Sequence, residues 1–464
     1  MNRVLLFLLF LFVLLLTACS GLTPTGNPLP ETVSVPAQWR TASDATAPDV
    51  TRDWWRSFGN AELAQLVVQA QEQSLDVVAA VARVHQAEAA ARIASAPLLP
   101  ELSVNADFSR QGQYGDLAFH DHTFFGGLAA SYEIDFWGKN RARRNAARAI
   151  LRATEFDHDT VALTVTAGTA QLWLQTTALR QRIDIAERNL DNASRFLALV
   201  EARQRAGAAT LLDVARQRGL AASQQRIVVS LRQQAGDSQT ALAVLLGLPA
   251  STFTVKSSRL DALRVPSIRA GLPSDLLVRR PDIARAEAQL VAANASIAAA
   301  RAAMLPSLRL TASMGVVTPF DGPLYNAAAG LMAPLFNAGR LAAGRDLAIA
   351  QHEELLASYR SVIISAFGNV EVALNAVTGY DLQAAAQAQE QELAQAQRAF
   401  DLAESRYRAG AETLMTLLDV QRTLYAALDH AVQLKLLMLQ ARVSLFRALG
   451  GGWQVANTNP GVVL

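Results

Sequence analysis

GLPSDLLVRRPDIARAEAQLVAANASIAAARAAMLP, residues 271 to 306, is where a second copy of the first half of the chain begins. Pro306 answers Pro100, Phe336 answers Phe136, Gly410 answers Gly207 and Gly450 answers Gly247, so the pattern recurs at an offset of about 200 residues. Each half runs through the same order of elements: an alanine-rich helix, then a strand opening in LLPELSV (98–104) or MLPSLRL (304–310). A second strand follows, ending in DFWGKNR (135–141) or PLFNAGR (334–340), and after it a long helix, a glycine turn and a last helix. The chain is therefore a tandem duplication. One elongated body with two pseudo-equivalent halves follows, since no Gly/Ser or charged linker divides the 464 residues.

The first nineteen residues are read separately. Arg3 precedes the apolar run VLLFLLFLFVLLL, the pattern of an export signal. Leu16-Thr17-Ala18-Cys19 closes it, and Cys19, the only cysteine, has no partner for an internal disulfide. This resembles a bacterial lipoprotein signal, in which the cysteine is lipidated and becomes the mature N-terminus; an ordinary signal peptide with an incidental cysteine is the alternative. Ser20 after the cysteine fits passage to the outer membrane. The expected boundaries are a signal peptide (1–18), a lipidated tether (19–52), a first repeat (53–249), an inter-repeat segment (250–273), a second repeat (274–452) and a tail (453–464). Net charge is only +2 and the arginines are scattered among acids, so nucleic acid is not suggested. After residue 17 no uninterrupted apolar run reaches the roughly 20 residues a membrane-spanning helix needs.

Local patterns fill in the halves. Leu63, Leu66, Val67 and Ala70 lie at helical spacing, with a break at Ser74 and a second helix from Val77. Trp54, Trp55 and Phe58 before them read as a packing anchor rather than a ligand platform. Leu102, Val104, Ala106 and Phe108 alternate with Ser103, Asn105, Asp107 and Ser109, the mark of a half-buried strand. A loop from Gly112 to His122 leads to a second alternating run, 128–136, and the other half repeats the hairpin at 308–317 and 324–335. A helix from Gly138 to Arg205 would be about 100 Å long. Its distal seam, Ile183, Ala186, Leu190, Ala193, Leu197 and Val200, and a longer one from Leu417 to Ala448 predict coiled-coil pairing. Gly207 and Gly410 are where antiparallel helices turn back.

Four strands are too few to close a membrane barrel, which begins at about eight, and open edges cannot face lipid. The strands must close between chains. WWRSFGNAEL, YEIDFWGKNR, LLGLP, the 271–306 stretch and RYRAGAETLMTLLDVQRTLYAA together resemble the TolC-like outer-membrane factor family of tripartite efflux pumps, in particular its NodT-type lipoprotein branch. The resemblance covers nearly the whole chain after residue 50. It implies a mainly α chain with a small β part. That chain would be the protomer of a trimer, with a twelve-stranded outer-membrane β-barrel continued by a long periplasmic α-helical coiled-coil barrel. It implies an exit duct, joined through a periplasmic adaptor to an inner-membrane transporter that is proton-driven. By the same resemblance Arg279, Arg280, Pro281 and Asp282 are structural. The turns at Arg205, Gly207 and Thr210 and at Arg408, Gly410 and Thr413 would be the adaptor-docking tips. Asp419 would form a carboxylate ring at a periplasmic gate, with Asp213 reaching Tyr407 as a closed-state link between neighbouring helix pairs. Thr416 stands where a second ring aspartate can occur, and Glu412 where a gate arginine can occur. The plain alternatives are that the turns are only turns and that Asp213 and Asp419 are solvated positions beside heptad seams.

Enzymatic signatures are absent from the sequence: there is no HExxH, GxSxG or GxxxxGK[ST]. His120-Asp121-His122 lacks a third fixed metal partner and is expected in the outer hairpin loop, and His352-Glu353-Glu354 reads as one polar helix face. No enzyme activity and no cofactor beyond the Cys19 lipid is expected. Two other functions stay open at this point, a duct of a protein-secretion system and a non-conducting coiled-coil envelope lipoprotein.

Overall fold

The structure, a computed structural model, describes residues 34–41, 47–112, 120–257, 259–318, 322–390 and 392–454. The signal peptide and Cys19 lie outside the described residues. The elements below all belong to one unit, Pro36–Leu464.

A 3-10 turn, Trp54–Phe58, opens the first repeat, and its aromatic residues are buried as packing groups. Trp54 stacks on Phe446 from the far end of the chain, with ring centroids 4.8 Å apart. Helix α1 (Ala61–Gln73) is capped by Asn60, whose side chain accepts from the Leu63 N–H at 3.0 Å, and it buries Leu63, Leu66, Val67 and Ala70. Ser74 adopts extended ψ and ends the helix, and α2 (Leu75–Ser95) follows.

Strands β1 (Glu101–Gly112), β2 (His120–Ile134), β3 (Ser307–Thr318) and β4 (Pro323–Met332) form one antiparallel sheet in that order. The register sorts its faces. Val104, Leu128, Met314 and Tyr325 lie across from one another in one row, and Ser103, Ala129, Ser313 and Asn326 in the next. Apolar and polar rows alternate, yet the apolar face is bare: Val104 is 79% exposed and Tyr325 86%. At the join of the two repeats Gly127 pairs with Gly315, and a Cβ on Gly127 would lie 2.5 Å from the Met314 carbonyl oxygen.

Three strand limits correct the sequence reading. Strand β2 begins at His120, paired with Gly112, so His120-Asp121-His122 belongs to the ladder rather than the loop. It stops at Ile134 because Asp135 turns to accept the N–H groups of Asn140 and Arg141, both at 2.9 Å. Strand β4 stops at Met332, short of Leu335, and Pro334 just beyond has no N–H to pair.

Helix α3 (Lys139–Arg205) runs 67 residues, about 100 Å, from Gly138 in the left-handed region. It turns back into α4 (Leu211–Leu245). The second repeat supplies α5 (Pro281–Ala302), α6 (Arg340–Glu390), α7 (Glu392–Arg408) and α8 (Leu414–Ala448). Within α6, Arg340–Ala386 is apolar enough by length and composition to cross a membrane, a feature that a search for uninterrupted apolar runs misses because charged residues punctuate it. Only a third of its most apolar window is buried, and Ile364, Val372 and Leu382 are exposed.

The distal halves of α3, α4, α7 and α8 share one core that includes Phe196, Val200, Val214, Phe400, Tyr407, Leu417, Leu424 and Tyr425. The α3 seam is corrected by one position: Phe196, not Leu197, is the buried residue, meeting Phe400 edge to face at 6.2 Å.

Polar clamps hold the inter-repeat segment to the first repeat and close the second repeat on itself. Glu62 accepts from the Lys256 N–H (2.6 Å), the Ser257 N–H (2.9 Å) and the Trp173 indole (3.2 Å), pinning the inter-repeat segment. Burial alone would raise its pKa, but these bonds and that of the Ser257 side chain hold it below the ordinary value. Arg280 forks onto Asp282 at 2.9 and 2.6 Å and donates to the Ala448 carbonyl at 2.9 Å, closing the end of α8 on the start of α5. A Cβ on Gly450 would sit 1.9 Å from the Arg279 carbonyl oxygen. The RRPD stretch is thus a joint. Upstream, residues 34–41 and 47–52 form no helix or strand, but Trp39 is buried against Phe367 and donates to the Gly271 carbonyl at 2.9 Å.

Candidate functional site

The two tips are built alike. After α3, Gly207 at φ +74 donates to the Gln204 carbonyl and Ala208 to that of Arg203; after α7, Gly410 at φ +77 donates to Tyr407 and Ala411 to Arg406. Both are Schellman closures, in which the left-handed residue favours glycine. Nothing lies within 4 Å of where a Cβ would stand on either glycine, so both tips present open backbone.

Beyond the glycines the tips differ. Thr210 caps α4, accepting from the Asp213 N–H at 3.1 Å, and the Asp213 carboxylate accepts from the Thr210 N–H (2.9 Å) and hydroxyl (2.8 Å). This is a complete capping box. Thr413 caps α8 through the Thr416 N–H at 3.2 Å, and since position N3 is Thr416 no carboxylate returns. Glu412 takes over, accepting from the Thr413 N–H at 3.1 Å and facing Arg406 at 3.5 Å. The motif TLLDV occurs in both repeats, at 210–214 and 416–420, but in different structural places. Asp213 follows Gly207 by six positions and Asp419 follows Gly410 by nine, so the second aspartate stands about 4.5 Å farther up its helix.

These placements decide what each predicted gate residue touches. Asp419 is exposed, beside the buried Leu417 and Leu418, and its carboxylate meets no partner among the described residues. Asp213 does not meet Tyr407 within the chain, because its carboxylate is taken up by the cap. The Thr210 N–H and then its hydroxyl hold the Asp213 carboxyl below the ordinary value, with burial opposing and Arg216 assisting. Tyr407 is instead buried in the shared core with the Arg203 guanidinium 4.5 Å over its ring. Arg205 and Arg408 are exposed, and Arg408 pairs with Glu404 at 2.5 Å.

Sequence reasoning missed two features. The capping box was readable as Thr210-x-x-Asp213. The contact of Arg203 with Tyr407 joins residues 204 positions apart and leaves no local signal. Deeper in the bundle Tyr425 donates to the Asn189 carbonyl at 3.2 Å and accepts from Gln421 at 3.1 Å, and burial pushes its pKa up to about 12. Among the described residues no group of three or more His, Cys, Asp or Glu side chains is arranged to hold a metal.

Comparison with known proteins covers both repeats. The model of the outer membrane efflux protein family matches residues 66–248 and 272–451, one block per repeat. The chain is 50% identical over 458 residues to the pyoverdine export outer membrane protein OpmQ of Pseudomonas aeruginosa, covering 95% of each. It is 30% identical over 460 residues to the cation efflux system protein CusC of Escherichia coli, covering 96% of this chain and 98% of the relative. The structure of the outer-membrane channel OprN superposes with a TM-score of 0.83 at 25% identity, over 91% of this chain and 98% of that one. With the family matched once on each repeat and the fold shared over 91% of its length with a solved channel, this chain belongs to the outer membrane efflux protein family.

Proposed function

We infer that three copies of this chain close their sheets into one twelve-stranded barrel, continued by a tube of paired helices, and that the tube is the exit duct of a tripartite efflux system. One observation carries this: a four-stranded sheet whose outer strands β1 and β4 each pair on one side only, with an apolar face left bare. Such edges and such a face are stable in a bilayer only when the ring closes. The exposed apolar stripe of α6 supports the same reading, as a face for a neighbouring copy. Native mass spectrometry of the detergent-extracted protein tests it. Three copies are expected, and a stable monomer with an intact sheet would overturn it.

The duct is passive and needs no cofactor. A periplasmic adaptor docks on the open backbone of Gly207 and Gly410, flanked by Arg205, Thr210, Arg408 and Thr413, and a proton-driven inner-membrane transporter feeds it. Replacing either glycine by Phe is expected to abolish export while trimers persist. Asp419 lines the periplasmic opening as a ring of three carboxylates, which attract multivalent cations. Asp419→Ala is expected to remove block by trivalent cations in planar bilayers, and unchanged block would move the ring elsewhere. A closed-state link from Asp213 to Tyr407 joins neighbouring helix pairs across the boundary between copies. The relative that is half identical over nearly its whole length exports pyoverdine, so a siderophore of that class is the cargo. Expression in Pseudomonas aeruginosa lacking OpmQ should restore pyoverdine in the medium.

A further inference from the structure

We propose that a recess in the wall of the duct holds passing cargo, with Arg447 as its anion-binding group, and that its ligand is an anionic, amide-rich molecule the size of a short peptide. This rests on the duct reading above. The recess is a cavity of about 480 Å³ beside the RRPD joint, framed by α3, α6 and α8, a volume within the roughly 300–1,000 Å³ of small-molecule sites. Its orientation follows from α8. Phe446, stacked on Trp54, and Lys435, which donates to the Leu263 carbonyl at 3.2 Å, mark the side of α8 that lies under the 3-10 turn and the inter-repeat segment. Leu437 and Ser444 stand on the opposite side of the helix, at about 3.6 residues per turn, and they line the cavity. Three copies of those irregular segments would fill a bore. They therefore lie outside the ring of helices, and the cavity opens inward.

The lining decides the ligand. Its charged residues are Arg280, Asp282 and Arg447, and since Arg280 and Asp282 fork onto each other, one positive charge is left over. Arg447 is exposed and meets no partner among the described residues. Gln440 and Ser444 are engaged by Gln175 and Gln171 of α3, at 3.4 and 3.2 Å, which fixes the floor. The Tyr380 hydroxyl and the Asn369 amide, both on α6, have no partner among the described residues. A guanidinium takes a carboxylate, while a phenol and a carboxamide take the C=O and N–H of an amide. The first repeat does not carry this set. Arg447 stands three residues before Gly450, and three residues before Gly247 stands Val244.

The test is equilibrium dialysis of N-succinyl-trialanine against the detergent-extracted protein, with single-channel conductance in planar bilayers measured in parallel. The parent is expected to bind the peptide, which should also interrupt its current reversibly, and to bind the uncharged diamide of the same peptide roughly tenfold less tightly. Arg447→Gln should lose roughly tenfold in affinity for the acid and nothing for the diamide. Tyr380→Phe should weaken both several-fold. Arg226→Gln, which removes an exposed cation of α4 outside the recess, should bind as the parent does. No binding by the parent, or equal affinity of parent and Arg447→Gln for the acid, overturns the site and leaves the guanidinium serving only the negative end of α8. Should Arg447→Gln fail to assemble, the parent alone decides, and equal affinity for acid and diamide overturns the site too. Binding by a protein that never conducts would instead overturn the duct reading and leave the site standing.

Discussion

The aspartate of the first tip shows how one side chain can be spent. Asp213 lies below its ordinary pKa because Thr210 donates to its charged form, so its stabilising contribution is present above the unfolded value of about 3.9 and is lost as pH falls through the folded one. Thr210→Ala removes the reciprocal bond at a cost of about 1 kcal/mol. Amide exchange in the first turn of α4 should then be roughly fivefold faster at neutral pH, by mass spectrometry. For Thr210→Ser, which keeps the hydroxyl, exchange should stay near the parent rate. At the second tip the acid-sensitive group is Glu412 instead, whose carboxyl the Thr413 N–H and then the Thr416 hydroxyl hold below the ordinary value, with burial opposing and Arg406 assisting, so its bonds too are lost as pH falls through the folded value. Identity of residues along the chain was legible here, but their employment was not. TLLDV reads the same at 210 and 416, and only the placement of the caps separates an aspartate used in a turn from one left bare. Local rules could have found the first; nothing local reveals that Arg203 covers Tyr407.

At the scale of elements, periodicity located both hairpins and the long helices, because alternation and heptads are local consequences of burial. It erred where a neighbour outside the window decides. Asp135 ends β2 by capping a helix, and Phe196 displaces Leu197 from the seam because Phe400 lies opposite. Pairing of β2 with β3 across the two repeats was likewise invisible, as the strands are far apart in sequence. That pairing makes a specific demand. Gly127 and Gly315 face each other so closely that a side chain on either would strike the opposing backbone at 2.5 Å. Gly127→Val and Gly315→Val should therefore separate the strands at this point and abolish heat-resistant trimers on gel electrophoresis. Gly330→Ala, in β4 with nothing within 4 Å, should assemble as the parent does. Normal trimers in both valine variants would show that the close approach is not required.

Across the whole molecule, a lipid on Cys19 and a closed barrel would be membrane attachments of very unequal size. A single acyl group holds a protein only marginally, whereas a closed barrel buries its entire apolar face. Cys19→Ala with a compatible signal peptide should accordingly still yield trimers in outer-membrane fractions; their complete loss from correctly exported protein would make the lipid indispensable. The duplication has a consequence of another kind. One hairpin and one helix pair per chain would need six identical copies to make such a ring, and every change would then appear six times. Fusing two units leaves three copies and two alternating sorts of tip, one with a carboxylate-closed cap and one three residues longer before its aspartate. Sixfold likeness is thereby broken into threefold. A mutation can alter one set of three positions around the rim and leave the interleaved three untouched, so that grip and aperture are free to drift apart in descent.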